Sequence, residues 1–206
     1  MKKALILIDI QNDFCPQGSL PVPDGDKIVP VVNELMDKNF DLIVATKDWH
    51  PPKHISFART HDKKVGEVIE IQGQKQILWP DHCIQNTWGA EFHPNLKANK
   101  IHKIVFKGTD PHIDSYSGFF DNAKLKNTEL DDVLKSNQIT HVYLVGLATD
   151  YCVKFTAIDA LNLGYQTFVI LDGCKAVNLQ PEDEQKTIQD LKSRGIKIIF
   201  SKEVNF

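Results

Sequence analysis

The chain has 206 residues, with 24 lysines and arginines against 27 aspartates and glutamates, for a formal net charge of −3 at pH 7. That balance leaves no electrostatic footprint for nucleic acid or an anionic membrane. With 42% hydrophobic and 25% charged residues, the composition is that of a globular chain and excludes a disordered one. The length suits one domain, expected to span residues 1–206 with an irregular excursion at about 59–76.

Residues 3–8 form an apolar run that stops at Asp9 and read as a strand. Met1-Lys2-Lys3 ahead of that run imitates a signal peptide, but Asp9 interrupts it too early. The longest apolar runs, such as residues 4–8 and 142–148, fall far short of the ~18 residues that mark a membrane span. The expectation is a protein that stays in the cytoplasm. Ile28, Val31, Val32, Leu35 and Met36 recur at the spacing of one helix face. Asp24 and Asp26 stand near its start, where acids suit the helix dipole. Strands follow at 41–46 and at 101–106, the second ending at Lys107. Between them, residues 59–76 are irregular, with an alternating piece at 65–71 that reads as a hairpin covering something. Thr128 opens a Thr-x-x-Asp form of the capping box before a helix bearing Leu130, Val133 and Leu134. Residues 141–145 form a strand, Val153, Ala157 and Leu161 mark the next helix, and 166–171, 181–194 and 196–200 read as strand, helix and strand. The alternation predicts an α/β fold of three layers, α/β/α, around a largely parallel sheet of about six strands.

In open sheets of this kind, ligands bind outside the carboxyl ends of the strands. The ends here carry Asp9, Asp48-Trp49-His50, Lys107 and Ala148-Thr149-Asp150-Tyr151-Cys152. Cys152 follows a candidate N-cap, Thr149, which places the thiol in a first helical turn. Amides there lower a thiol pKa and can hold an oxyanion. A small buried hydrophobe is the alternative for such a cysteine. Asp9 closes an apolar strand and needs a partner, for which Lys107 is the candidate. The pair is either a structural ion pair or a base and cation serving the thiol. Asp48 and His50, two apart, point to one side of an extended segment and can grip a divalent metal, with His54 and His82 the nearest further candidates. Phe14, Trp79 and Tyr116 lie on loops after strands and offer aromatic walls to a flat ring, although each also suits ordinary packing. The four cysteines, Cys15, Cys83, Cys152 and Cys174, contain no Cys-x-x-Cys pair, which argues against a structural zinc cluster.

Six segments together resemble one family. They are Asp9-Ile10-Gln11-Asn12-Asp13-Phe14, Thr46-Lys47-Asp48-Trp49-His50-Pro51-Pro52-Lys53-His54-Ile55-Ser56-Phe57, Trp79-Pro80-Asp81-His82-Cys83, Lys107-Gly108, Tyr116-Ser117-Gly118-Phe119 and Gly146-Leu147-Ala148-Thr149-Asp150-Tyr151-Cys152-Val153. In order and content they look like the nicotinamidases (pyrazinamidases) of the isochorismatase-like cysteine hydrolases. The resemblance implies a catalytic triad of Asp9, Lys107 and Cys152. It implies a metal held by Asp48, His50 and His82, with His54 at a position that ligates in some members only. Phe14, Trp79 and Tyr116 fall at pocket-lining positions. A cis peptide is implied before Ala148, and an oxyanion hole from the backbone N–H groups of Ala148 and Cys152. The implied reaction converts nicotinamide and water to nicotinate and ammonia through a Cys152 thioester, in NAD salvage, with pyrazinamide as a further substrate. The implied cofactor is one divalent metal, zinc first, with manganese or iron compatible with the same ligands. The small-molecule substrate is the expected partner, with no nucleic acid and no membrane, and a homo-oligomer is left open. Two other readings stand beside this one: a related cysteine amidase acting on another small amide, and a non-catalytic binding protein on the same scaffold. A hydrolase using zinc-bound hydroxide is a further rival, which predicts that Cys152→Ala stays active.

Overall fold

Six apolar runs pair side by side in the order β5-β2-β1-β6-β7-β8, all parallel. They are β1 (Lys3–Ile8), β2 (Leu42–Asp48), β5 (Lys103–Lys107), β6 (His141–Leu147), β7 (Gln166–Lys175) and β8 (Lys197–Ile199). The computed structural model describes residues 1–71 and 73–206. Parallel strands need crossover connections, and helices supply most of them: α1 (Val29–Leu35), α2 (Leu130–Ser136), α3 (Lys154–Asn162) and α4 (Asp183–Ser193).

Alternate residues of a strand face opposite sides of a sheet, and here both sides are covered. Leu5, Leu7, Ile43, Ala45, Tyr143 and Val145 pack with Val32 and Leu35 of α1. Ala4, Ile6, Ile8, Val44, Val142 and Leu144 pack with Leu130 and Leu134 of α2, Ala157 and Ala160 of α3 and Leu191 of α4. This accounts for strands that read as continuous apolar runs rather than alternating ones.

Two local expectations are corrected. Thr128 does not close a capping box: its hydroxyl oxygen accepts from Leu130 N at 3.1 Å, while Asp131 turns away to Tyr165 and Lys135. Thr149 is not an N-cap; Ala148 holds that place before a π-helical turn, Thr149–Val153, that precedes α3. The excursion contains a two-stranded antiparallel hairpin, β3 (Val68–Ile71) and β4 (Gln74–Ile77). Its residues are exposed or half-buried apart from Gln76, which is buried. β7 runs past its predicted end because its register against β6 shifts between Leu144 and Gly146. That shift carries the chain to Lys175 at the carboxyl edge of the sheet.

Candidate active site

Four neighbouring strands deliver a carboxylate, a second carboxylate, an ammonium and a thiol to one edge. Asp9 follows β1 with φ of 49°, which turns its side chain beneath the edge, where it is fully buried. Its N–H donates to Thr46 Oγ1 at 3.2 Å, and the Thr46 hydroxyl donates back to Asp9 Oδ1 at 2.6 Å. Asp9 Oδ2 lies 2.9 Å from Lys107 Nζ and has no further hydrogen-bond partner among the described residues. Lys107 Nζ also reaches Asp48 Oδ1 at 2.5 Å, Ser115 O at 2.9 Å and Cys152 Sγ at 3.5 Å. Three oxygens match the three protons of the ammonium, so the thiol meets Lys107 chiefly as a charge.

The electrostatics follow from burial set against that charge. Burial raises the Asp9 carboxyl above its ordinary value, and Lys107 offsets this only in part. Asp48 is also buried, but Lys107 and His50 hold its carboxyl well below the usual range. Burial disfavours the Lys107 cation, yet Asp48 and Asp9 keep it firmly protonated. Burial pushes the Cys152 thiol well up, and Lys107 only partly opposes this. This departs from the sequence expectation of a thiol lowered by helix amides. Desolvation wins over the local dipole, so burial favours the neutral thiol, which stands beside an Asp9 oxygen that only the Lys107 ammonium touches. One oxygen of Asp9, one of Asp48 and Cys152 Sγ lie within 4.8 Å of one another.

Asp48 presents its other oxygen to two imidazoles. Asp48 Oδ2 is 3.4 Å from His50 Nε2 and 3.7 Å from His82 Nε2. The far ring nitrogens settle the tautomers. His50 Nδ1 lies 2.9 Å from Gly108 O, and His82 Nδ1 lies 2.7 Å from Pro80 O. A carbonyl only accepts, so both Nδ1 atoms carry the proton and both Nε2 lone pairs face Asp48. Two lone-pair nitrogens and a carboxylate oxygen, all buried and within 4.8 Å of one another, fit one divalent metal ion. His54 stacks on His50 with ring centroids 4.1 Å apart. Its own nitrogens are engaged by Ser56 Oγ at 2.8 Å and Ile113 O at 3.2 Å. Burial, with His50 beside it, pushes His54 down to about 4, so it stays a neutral imidazole in this position.

A pocket with largely aromatic and apolar walls opens onto these groups. Phe14, Trp79, Tyr116, Asp48, His82, Ala148 and Cys152, all singled out from sequence, line it together. Trp79 Nε1 donates to Tyr116 Oη at 3.1 Å, which ties two of the aromatic walls together. The peptide between Leu147 and Ala148 is cis, and it leads β6 into the turn that bears Cys152.

Sequence reading missed several supporting residues. Thr46 sits one alternation before Asp48 on β2, where a hydroxyl in an apolar run was the available signal. Gln11 clamps the end of β2: its amide donates to Asp48 O and its oxygen accepts from Asp48 N, both at 2.8 Å. Gln76 of the hairpin donates to Asp114 Oδ2 at 3.1 Å, with Tyr116 Oη at 3.4 Å, and no local pattern announces it. Tyr151 and Val177 also line the pocket.

The isochorismatase domain model matches residues 3–203. The nicotinamidase of Escherichia coli is 46% identical over 94% of this chain and 92% of its own length. The structure of an Acinetobacter baumanii nicotinamidase and pyrazinamidase superposes with a TM-score of 0.95 at 43% identity, covering 99% of this chain and 98% of the other. The pyrazinamidase of Pyrococcus horikoshii in complex with zinc does so with a TM-score of 0.79 at 42% identity, covering 97% and 99%. With a buried Asp-Lys-Cys cluster beside an Asp-His-His set on a six-stranded parallel sheet, the chain belongs to the isochorismatase family and groups within it with the nicotinamidases and pyrazinamidases.

Proposed function

We propose that the chain hydrolyses nicotinamide to nicotinate and ammonia through a thioester on Cys152, and that pyrazinamide is a second substrate. The observation that carries this reading is the placement of Cys152 Sγ 3.5 Å from Lys107 Nζ, with Asp9 Oδ2 lacking a further hydrogen bond, at one end of an aromatic pocket. The names of the relatives support the choice of substrate. NAD salvage in the cytoplasm is the role that fits it.

Asp9 acts first as a base. Its Oδ2 takes the thiol proton as Sγ attacks the carboxamide carbon, and burial, which raises the Asp9 carboxyl, makes it a stronger base than an exposed carboxylate. Lys107 remains protonated throughout and compensates whichever of Asp9 and Sγ carries the charge. The backbone N–H groups of Ala148 and Cys152 hold the oxyanion. Asp9 then returns its proton to the amide nitrogen, the C–N bond breaks, and ammonia leaves a thioester. Water gives a proton to Asp9 while its oxygen adds to the thioester carbon; the C–S bond then breaks, Asp9 passes that proton to the leaving sulfur to restore the thiol, and the acid set free gives its remaining proton to ammonia or solvent as the carboxylate. Phe14, Trp79 and Tyr116 hold the ring flat between them.

Asp48, His50 and His82 hold one divalent metal, and zinc is our choice because the Pyrococcus horikoshii pyrazinamidase was solved with zinc. When bound, the metal would supply Lewis-acid anchoring of the ring nitrogen, a template role. His54, with both nitrogens engaged, supports its neighbour's ring instead of ligating.

Ammonia release from nicotinamide by the metal-replete protein, beside Cys152→Ala, tests the reading. Release by wild type alone is expected. Full activity in Cys152→Ala would overturn the thioester route in favour of a metal-bound hydroxide. Inactivity of wild type toward nicotinamide, with metal bound, would transfer the reading to another small amide.

A further inference from the structure

The turn that carries the nucleophile is wired to a distant loop by a ring of side chains for which the chemistry above has no use. Asp150 is buried, and both its oxygens are taken by the loop after β7: Val177 N donates to Oδ1 at 2.9 Å and Asn178 N to Oδ2 at 2.8 Å. Asn178, with φ of 52°, turns its own Oδ1 to accept from Glu184 N at 2.9 Å in the first turn of α4. Glu184 Oε1 in turn accepts from the Thr149 hydroxyl at 3.2 Å. Thr149 and Asp150 are the first two residues of the π-helical turn, so the ring starts and ends on the turn that bears Cys152.

Two features give the ring a functional position. Val177, whose amide Asp150 holds, lines the ring pocket with Ala148, Tyr151 and Cys152. The register shift of β7 at Leu144/Gly146 is what brings the 176–178 segment up to this edge. The turn and one pocket wall are therefore two separate pieces of chain, and Asp150 is the residue that bonds one to the other.

We propose that Asp150 is a positioning residue for the hydrolysis. By clamping the amides of Val177 and Asn178, it fixes the pitch of the Thr149–Val153 turn against the pocket wall, and so sets where Sγ stands relative to the carboxamide of a seated ring. Glu184 and Asn178 complete the clamp from the α4 side. The proposal rests on the reading of Cys152 as nucleophile. A displaced nucleophile loses attack geometry, and a misplacement near 1 Å costs on the order of 100-fold in rate.

The test compares wild type with Asp150→Ala, Asp150→Asn, Glu184→Ala and the Asp150→Ala/Glu184→Ala double variant. Three readouts are taken: kcat and KM for nicotinamide, the rate of Cys152 alkylation by iodoacetamide followed by mass spectrometry, and thermal unfolding. Asp150→Ala is expected to lose about 100-fold in kcat/KM, most of it in kcat. Its buried thiol is expected to be alkylated several-fold faster, more accessible and less productive at once. Asp150→Asn keeps an acceptor oxygen in the same shape and is expected to recover about tenfold of the loss. The double variant is expected to lose less than the product of the single losses, because both break one ring. A folded Asp150→Ala with kcat within twofold of wild type, or a change in KM alone, overturns the proposal. So does a lowered Tm with kcat and alkylation unchanged. If Asp150→Ala fails to fold, the isosteric Asp150→Asn decides on the same readouts. Wild-type protein that releases no ammonia refutes the substrate, while the alkylation rates still judge the clamp.

Discussion

Lys107→Met is the perturbation whose cost the structure defines most closely. Methionine keeps a similar length and volume and removes one charge. Lys107 Nζ is fully buried, 2.9 Å from Asp9 Oδ2 and 2.5 Å from Asp48 Oδ1. At an effective dielectric near 20, the gross attraction to Asp9 alone is about 6 kcal/mol, most of which offsets the burial of the two charges. Taking one partner away leaves Asp9 buried and uncompensated, which costs about 3–5 kcal/mol, a third or more of the stability of an ordinary domain. The sign with pH follows. Without Lys107, the folded-state pKa of Asp9 rises further above its unfolded value, because burial already raises it. The variant's deficit is therefore least below the unfolded value, near pH 4, and grows as pH rises through the folded one. Urea unfolding of wild type, Lys107→Met and Lys107→Met/Asp9→Asn at pH 5 and pH 8 measures it. The expected result is a larger deficit at pH 8, substantially repaired by Asp9→Asn. A deficit below about 1 kcal/mol at both pH values, where such pairs normally cost 3–5, would refute the reasoning.

Asp9→Asn in the wild-type background should stay folded and lose ammonia release by about 100- to 10,000-fold, the usual worth of a general base, in a steady-state assay. Gly108→Ala should weaken metal binding at least about tenfold in a competition titration. Gly108 has φ of 63°, and an added Cβ would overlap the His50 ring. Cys174 is buried in the core and its thiol is pushed up to about 12, so the stability it protects is present below pH 9 and lost as pH rises toward 12. Urea unfolding at pH 8, 9 and 10 should show a slope of about 1.4 kcal/mol per pH unit from this group above pH 9, and Cys174→Ala should reduce the total slope by that share while Cys15, Cys83 and Cys152, also raised by burial, keep the rest. Gln76→Ala should detach the hairpin from Asp114 and Tyr116. Limited proteolysis is expected to cut within 65–77 faster, and KM to rise with kcat largely kept.

Most of the sheet was legible because parallel strands covered on both faces must be largely apolar, and residues 4–8 and 142–147 are apolar throughout. The end of β7 was not, because a register shift depends on what a neighbour's backbone does and leaves no period in the sequence. The chemistry-bearing residues were legible in a different way. Asp9 and Lys107 each end an apolar run, Asp48 closes β2, and Cys152 lies in the segment that β6 runs into, so each stands out as a reactive group at or just past a strand end. Their supports did not stand out. Thr46 hides inside a strand, and Gln11 and Gln76 act through single amides to partners 37 and 38 residues away. The state of the thiol was misread from sequence because a helix amide is a local feature, whereas the desolvation that outweighs it comes from the entire fold.

The strand order described above also governs when the protein becomes competent. The four chemical groups sit on β5, β2, β1 and β6, adjacent in the sheet but drawn from positions 9, 48, 107 and 152 of the chain. The central pairing of β1 with β6 joins Lys3 to His141, so β1 waits for a strand made much later in synthesis. Pairings of such long sequence separation close slowly. A chain made only as far as residue 151 carries Asp9 and Lys107 without the thiol they serve. Hydrolysis is thus a late event of folding, and its return after dilution from urea should follow the slowest phase seen by any spectroscopic probe of the sheet.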